Sequence, residues 1–425
     1  MKMWQAARPG LLRNPRFVRL WAIGWMTGTM MWLEMLVVAL LALELTNSPF
    51  LVSLTFFLRF APMLFGFGFG VLAERFSRKH LMTAGLALQV AVSGVLAVIV
   101  ITGKLEYWHL AVGSLLIGTV TASEFPVRRA MIGEVVDRDA IGRAISLEQT
   151  TNSLFRMLGP LIGGIFLATI GAQGGFLLGV TLYSVGLLIS LTMKYQRPES
   201  PQHVASPKTQ VNEGIRYIRR SQVMIGTLAV TLVVNVFGFS YVSQQPVVAR
   251  QELMVSDVLI GLLQSVEGAG ALLGAALIAV FARPRHYTRI YIWGSLLFLV
   301  AIVLFSRSGT YPVALVVLFF SGIGMSGFAT MQGAIMIYAS SPEMRGRVLG
   351  AVAVFIGVGL FGQLGIGLLA DILGPATAIL ITGSLGIAGM LVAFVVFPNM
   401  RKSTALERET AAGQESGTAV NRTPG

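Results

Sequence analysis

Apolar residues run along this chain in long stretches separated by short polar clusters. Twelve such runs can be read, at 17–43, 50–72, 80–102, 108–127, 145–170, 174–194, 223–246, 258–281, 289–306, 311–336, 347–369 and 375–397. A helix crossing the ~30 Å hydrocarbon core needs about 20 largely apolar residues, so each run predicts one membrane-spanning helix. The breaks carry turn chemistry: Asn47-Ser48-Pro49, Gly309-Thr310-Tyr311-Pro312 and Gly374-Pro375. Proline there suits the first turn of a helix and glycine its end. The first run follows a basic start (Lys2, Arg8, Arg13, Arg16, Arg19). It exceeds the 7–15 residues of a signal-peptide core and no small-x-small cleavage site follows, so it reads as a span.

Composition agrees with the pattern. The 425 residues are 55% hydrophobic and 12% charged, about half the charge of an ordinary soluble domain, with a mean hydropathy of +0.75. Disordered chains are excluded, being poor in apolar residues. The absence of cysteine removes disulfide scaffolds, thiolate metal sites and cysteine nucleophiles. A net charge of +13 would fit a nucleic-acid binder if it were spread over a soluble surface. Here 27 of the 32 Lys and Arg residues fall before the first span, in the even-numbered loops, in the C-terminal tail or at the run ends that border them. Only Lys104, Arg250 and Arg307 fall in the odd-numbered loops. Loops rich in Lys and Arg stay in the cytoplasm, so both termini are expected there, and no nucleic-acid partner is needed to account for the charge.

The chain also reads as a duplication. Residues 195–222 form the longest interior polar stretch and divide the twelve runs into six and six. The expected organisation is an N-terminal bundle (1–194), a linker (195–222), a C-terminal bundle (223–397) and a polar, disordered tail (398–425). Within the linker, Gly214 to Arg220 reads as a short basic amphipathic helix on the cytoplasmic face. Gly142-Arg143 matches Gly346-Arg347 at an offset of 204, and Gly159, Gly164 and Gly171 match Gly362, Gly367 and Gly374 at an offset of 203. The fifth and eleventh spans are therefore equivalent. Parallel six-span repeats with a site between them at the midplane describe one large group of secondary transporters.

Two motifs carry a resemblance to a known family. The stretch Gly70-Val71-Leu72-Ala73-Glu74-Arg75-Phe76-Ser77-Arg78-Lys79 resembles the loop signature G-x-L-a-D-r-x-G-r-k of the major facilitator superfamily, with Glu74 for the usual Asp and Ser77 for the second Gly. Gly159-Pro160-Leu161-Ile162-Gly163-Gly164 resembles the G-P-x-x-G-G motif of that superfamily's exporters. Residues 126–164 as a whole resemble the branch holding the enterobactin exporter and related drug-efflux proteins, through Pro126, Arg128, Glu134-Val135-Val136, Asn152, Arg156 and the Gly-Pro pair. The resemblance implies an all-α fold of twelve transmembrane helices in two six-helix repeats. It also implies a cytoplasmic gate in which Gly70, Glu74, Arg75, Arg78 and Lys79 meet the start of the eleventh span at Arg345 and Arg347. A carboxylate such as Glu74 can cap a neighbouring helix N-terminus, worth ~0.3–1 kcal/mol. Gly159-Pro160 frees a backbone carbonyl and bends its helix, while Gly163 and Gly164 permit close helix approach.

An ionisable side chain within a span costs ~2.5–3.5 kcal/mol on insertion scales and marks a functional candidate. Glu34, Arg59, Arg156 and Glu267 qualify. At 1.5 Å per residue, Glu34, Arg59 and Glu267 each lie about nine residues, ~13 Å, from the outer boundary, and Arg156 lies near the midplane. Glu34 and Glu267 are the candidate proton carriers, with Arg59 and Arg156 as their charge partners. Burial favours the protonated carboxyl and a nearby Arg disfavours it, so movement of the Arg would switch proton affinity. A permanent Glu34–Arg59 ion pair is the structural alternative. Glu124 and Arg128, one turn apart, read as a structural pair. Asn152, Asn235, Gln264, Gln332 and Gln363 are candidate polar lining, or interhelical hydrogen bonds. Trp25, Trp32, Phe155, Phe237, Phe239, Tyr241 and Phe328 are candidate apolar lining.

These features point to a proton-coupled exporter of a siderophore or an amphipathic drug-like molecule, in a bacterial inner membrane and acting as a monomer. Its expected partners are the small-molecule substrate, protons and the lipid bilayer. Symport uptake of an anionic solute is the alternative reading, and a transport-dead receptor or scaffold a more remote one. No enzyme is expected: G-x-S-x-G and G-x-x-x-x-G-K-[ST] are absent, and His80, His109, His203 and His286 form no ligand cluster. No cofactor or metal is expected.

Overall fold

A computed structural model describes residues 11–65, 77–137, 140–193, 207–341 and 344–398. The described residues form helices and no strand. In chain order these are α1 (Pro15–Thr46), α2 (Pro49–Phe60, continued by a 3₁₀ turn Ala61–Phe65), α3 (Arg78–Ile101), α4 (Tyr107–Val135), α5 (Ile141–Thr169) and α6 (Ala172–Thr192). The linker holds α7 (Pro207–Ile218), and after it come α8 (Gln222–Val233), α9 (Gln245–Gln251), α10 (Asp257–Phe281), α11 (Tyr287–Phe305), α12 (Tyr311–Tyr338), α13 (Arg345–Leu373) and α14 (Pro375–Val396). Between α8 and α9 the chain passes through a π turn (Val234–Gly238) and a 3₁₀ turn (Phe239–Ser243).

Over their described parts the twelve apolar runs fall largely on helix. Ten helical segments among the described residues are long and apolar enough to cross a membrane. The two runs outside that set have plain reasons. The second is described only to Phe65, and α5 carries polar residues such as Asn152 and Arg156 that lower its hydropathy. Large apolar side chains stand open on the helix surfaces, with Ile372 at 77%, Val280 at 74% and Val395 at 69% exposure. Water tolerates apolar surface on this scale poorly, whereas lipid tails accept it.

The local chemistry sets the helix ends. Asn14 caps α1, its side-chain oxygen accepting from the backbone N–H of Arg16 (3.0 Å) and Phe17 (3.3 Å). At the other end of α1, Asn47 adopts the left-handed conformation (φ 50°), and Ser48 caps α2 just before Pro49. Equivalent devices close the repeated spans: Gly171 (φ 83°) joins α5 to α6 and Gly374 (φ 85°) joins α13 to α14. Those φ values strain any residue with a Cβ, which explains why the matching glycines recur at an offset of 203.

By compactness the chain divides into two units, Met1–Pro201 with Val255–Ser265, and Gln202–Met254 with Val266–Gly425. In the first unit α1 packs along α5 and α6, α3 along α6 and α4, and α2 along α4. The first turns of α10 belong to this unit because Gly164 on α5 and Gly261 on α10 let the two backbones meet at Asp257 and Pro160. In the second unit the closest pairing is α11 with α12. A Cβ at Gly324 would overlap the backbone of Gly294 and Phe298. Such small-residue contacts replace the hydrophobic driving force that is missing between helices in lipid.

The linker helix differs from its sequence reading. It spans Pro207–Ile218 rather than Gly214–Arg220, because the chain turns after Ile218 so that Ser221 can cap α8 through the N–H of Met224 (3.1 Å). The helix also packs on protein: Ile218 is buried with Met224, Leu228, Met336, Val348 and Val352.

Gly324→Leu is expected to destabilise the second unit by about 1–3 kcal/mol or more, since the side chain must displace backbone. Gly309→Leu, where nothing lies within 4 Å of an added Cβ, serves as the control. Thermal unfolding of purified protein in detergent measures both.

Candidate functional site

The turn at Asn47-Ser48 makes α1 and α2 adjacent, so residues equally distant from it share a level. Arg59 Nη1 donates to Glu34 Oε2 at 3.2 Å, and both side chains are buried. Ser93 on α3 donates to the other carboxylate oxygen at 3.4 Å. A small cleft lined by Glu34, Met35, Val38, Thr55, Phe56, Arg59 and Ser114 opens beside the pair. Arg156 lies elsewhere in this unit, with its guanidinium 5.0 Å from the centre of the Trp32 ring, in cation–π range. Asn152 sits against Gly28. Of the exporter-type motif, Gly159 and Gly163 bring α5 against α1 at the Trp32 Cβ and the Leu33 backbone. Pro160 is buried within α5, and Gly164 meets α10 as described above.

Glu267 lies in the second unit, at a site built from three elements. It accepts hydrogen bonds from Ser321 on α12 (2.9 Å) and from Tyr241 in the 3₁₀ turn after α8. The preceding π turn shifts the register of that helix, and such irregularities recur at functional sites. Three turns farther along α12, Gln332 donates to the Thr231 hydroxyl at 2.7 Å, and Tyr291 donates to the Thr227 carbonyl at 3.0 Å. Asn235 donates to the Thr231 carbonyl at 2.8 Å. Thus Gln332 and Asn235 join one buried hydrogen-bonded group, whereas Gln264 is half-buried on α10 and Gln363 is buried on α13. Phe239, Phe298 and Phe328 pack together beside them, with ring centroids 5.0 and 5.7 Å from that of Phe239.

Gly70, Glu74 and Arg75 of the loop motif lie outside the described residues. Arg78 pairs with Glu134 at the end of α4, and Lys79 donates to the Leu191 carbonyl at 3.1 Å. Arg345 and Arg347 open α13. Arg347 Nη1 lies 2.5 Å from Glu213 of the linker helix, and the Tyr217 hydroxyl accepts from the Ser341 N–H at 3.0 Å. Sequence reasoning missed this anchoring of the linker helix to α13.

It also missed Glu148. The Glu124–Arg128 pair is present at 3.2 Å, but Arg128 Nη1 also lies 2.6 Å from Glu148 on α5. Arg129 reaches the same carboxylate at 3.7 Å, and the Thr27 hydroxyl of α1 lies 3.1 Å from Glu124. Glu148 stands four residues into the 145–170 run, where an acidic residue reads as a span boundary.

Removing one partner of a buried ion pair leaves the other charge uncompensated, at a cost of ~3–5 kcal/mol. Arg59→Met should lower stability by about that amount, and Arg59→Met with Glu34→Leu should recover much of the loss. Thermal unfolding in detergent tests this, and a double variant no better than the single one would exclude an energetic pairing.

Comparison with known proteins places this arrangement in a family. The family model described as transmembrane secretion effector, of the major facilitator group, matches residues 8–425. An uncharacterised major-facilitator-type transporter of Bacillus subtilis, YfiS, is 26% identical, over 83% of this chain and 86% of its own length. The staphyloferrin A transporter of Staphylococcus aureus is 21% identical, over 74% and 79%. Macrolide efflux protein A of Streptococcus pyogenes is 22% identical, over 80% and 86%. Among solved structures, a bacterial homologue of the human lysosomal transporter Spinster, inward-facing, superposes with a TM-score of 0.67 at 14% identity, covering 95% of this chain and 99% of that one. These relatives are transporters, not enzymes, and the chain is a multi-pass membrane protein belonging to the transmembrane secretion effector family of the major facilitator superfamily.

Proposed function

We propose that this protein is a proton-coupled exporter that exchanges protons for a siderophore or an amphipathic drug-like molecule by alternating access. The observation that carries the reading is a buried carboxylate in each unit, Glu34 held by Arg59 and Ser93, and Glu267 held by Tyr241 and Ser321. A carboxylate is maintained at such depth only if it is satisfied or put to use. Each of these has partners that a change of conformation can withdraw, which would alter its affinity for a proton.

Export is favoured by the Gly159-Pro160-x-x-Gly163-Gly164 motif and by the macrolide efflux relative, while the relative named staphyloferrin A transporter supports the substrate class. The Lys and Arg distribution supports cytoplasmic termini, and bacterial relatives support the bacterial inner membrane as its location. The energy is adequate: one proton yields ~2.3 kcal/mol per 100 mV and about 1.4 kcal/mol per pH unit. In this reading Arg156, Asn152, Asn235, Gln264 and Gln332 serve the substrate path. Gly70, Glu74, Arg75, Arg78, Lys79, Arg345 and Arg347 serve the cytoplasmic gate, and the unit of function is a monomer.

The experiment is proton flux in proteoliposomes under an imposed pH gradient, with a panel of macrolides and carboxylate siderophores added in turn. A transported compound should release protons across the membrane, and Glu34→Gln or Glu267→Gln should abolish that release while the compound still binds. Compound movement without proton movement would exclude proton coupling, and unaltered flux in both variants would exclude these carboxylates as the carriers.

A further inference from the structure

Glu124, Arg128 and Arg129 on α4 meet Glu148 on α5 beneath α1. Three of these four side chains are nearly sealed from solvent: Glu124 and Glu148 are 6% exposed and Arg128 is 9% exposed, whereas Arg129 is 37% exposed. Arg128 serves both carboxylates, with Nε 3.2 Å from Glu124 and Nη1 2.6 Å from Glu148. Its guanidinium occupies the space over Gly24, where a Cβ would overlap it, so α1 is shaped to hold it. Arg129 approaches Glu148 only loosely, at 3.7 Å, and its Nη2 also donates to Gln149 at 3.3 Å.

The carboxylate of Glu148 is the unusual member. Both of its oxygens are buried and lie close to guanidinium groups, yet neither receives a hydrogen bond of good geometry. A buried acceptor in that condition calls for an explanation. One guanidinium balances one of the two carboxylates. The other is balanced either by Arg129, a part-exposed side chain, or by a proton.

We propose that Glu148, with Glu124 and Arg128, forms a second proton-binding site in the first unit, and that Arg129 competes with the proton for it. The step is an exchange. A proton from water joins the Glu124–Glu148 carboxylate pair as Arg129 withdraws toward Gln149, and the return of Arg129 expels that proton to water. Thr27, the α1 contact of this cluster, lies seven residues from Glu34 on the same helix, ~10 Å along its axis. The two sites are therefore successive stations on one helix, and the transport role of the second rests on the proton-coupled reading above. The other charged or titratable acid–base groups on the surrounding helices are Arg16, Arg19, Glu34 and Glu44 on α1, Arg59 on α2, Arg78, Lys79 and His80 on α3, His109 and Glu134 on α4, and Arg143 and Arg156 on α5. Of these, Arg59 is engaged with Glu34 and Arg78 with Glu134.

The test needs no substrate. Infrared difference spectra of the full-length protein in liposomes, titrated between about pH 5 and 9, report protonated carboxyl groups directly. The wild type should show a titrating carboxyl band, part of which is lost in Glu148→Gln and retained in Glu34→Gln. Arg129→Gln, a change at a part-exposed position, should enlarge the band at neutral pH. A band unaltered by Glu148→Gln, or an Arg129→Gln spectrum identical to wild type, would overturn the proposal and leave the cluster a static brace. Should Glu148→Gln fail to fold, the Arg129→Gln spectrum decides alone. A band that responds as expected, in a protein that carries no protons under a pH gradient, would support the site while removing the proton-coupled reading of transport.

Discussion

A charge in hydrocarbon must be met by the protein itself, because no water is present to meet it. That constraint organises the described structure. Glu34 finds Arg59 and Ser93, Glu267 finds Tyr241 and Ser321, and Arg128 is shared by Glu124 and Glu148. Each group ties together two or three helices that have no hydrophobic reason to prefer one another over lipid. Each group also carries a cost in desolvation that packing alone would not impose. Residues that cost stability and are nevertheless buried are the ones from which a transport mechanism can be built.

The second constraint is closeness. Hydrogen bonds of about 3 Å between side chains on different helices require the helix axes to approach nearer than large residues allow. Glycines supply that approach at the same places as the polar groups. Gly322 rests on the backbone of Glu267, Gly24 accommodates Arg128, and Gly118 receives the backbone of Arg59. The irregular turns from Val234 to Ser243 have the same effect by other means: they re-aim Tyr241, a fully buried side chain, at the carboxylate of Glu267. At these positions packing and electrostatics act together, since a small residue lies where a charge must be reached.

How far the candidate site could be read in advance depended on the separation of its parts. Glu34 and Arg59 flank a tight turn, so counting residues from that turn was enough to put them at one depth. Glu124 and Arg128 share a helix face by their spacing of four. Glu148 reaches the same guanidinium from a different helix, and nothing in its local sequence distinguishes it from an acidic residue at a membrane boundary. The partners of Glu267 are hydroxyls on two other elements, one of them displaced by a π turn that no periodicity announces. The linker helix was legible as amphipathic, but its anchoring on α13 through Glu213, Tyr217 and Ile218 is a tertiary fact.

By itself, then, the sequence determined the helical class, the apolar runs, the caps and turns between them, the internal repeat and the family. All of these are local or periodic properties, fixed by the thickness of a bilayer, the rise of a helix and the few residues able to turn a chain. What only the tertiary structure decided is which buried polar group meets which. That depends on the rotation and separation of neighbouring helices, set by packing between residues far apart in the chain, and a one-dimensional pattern of apolar and polar positions does not encode those angles.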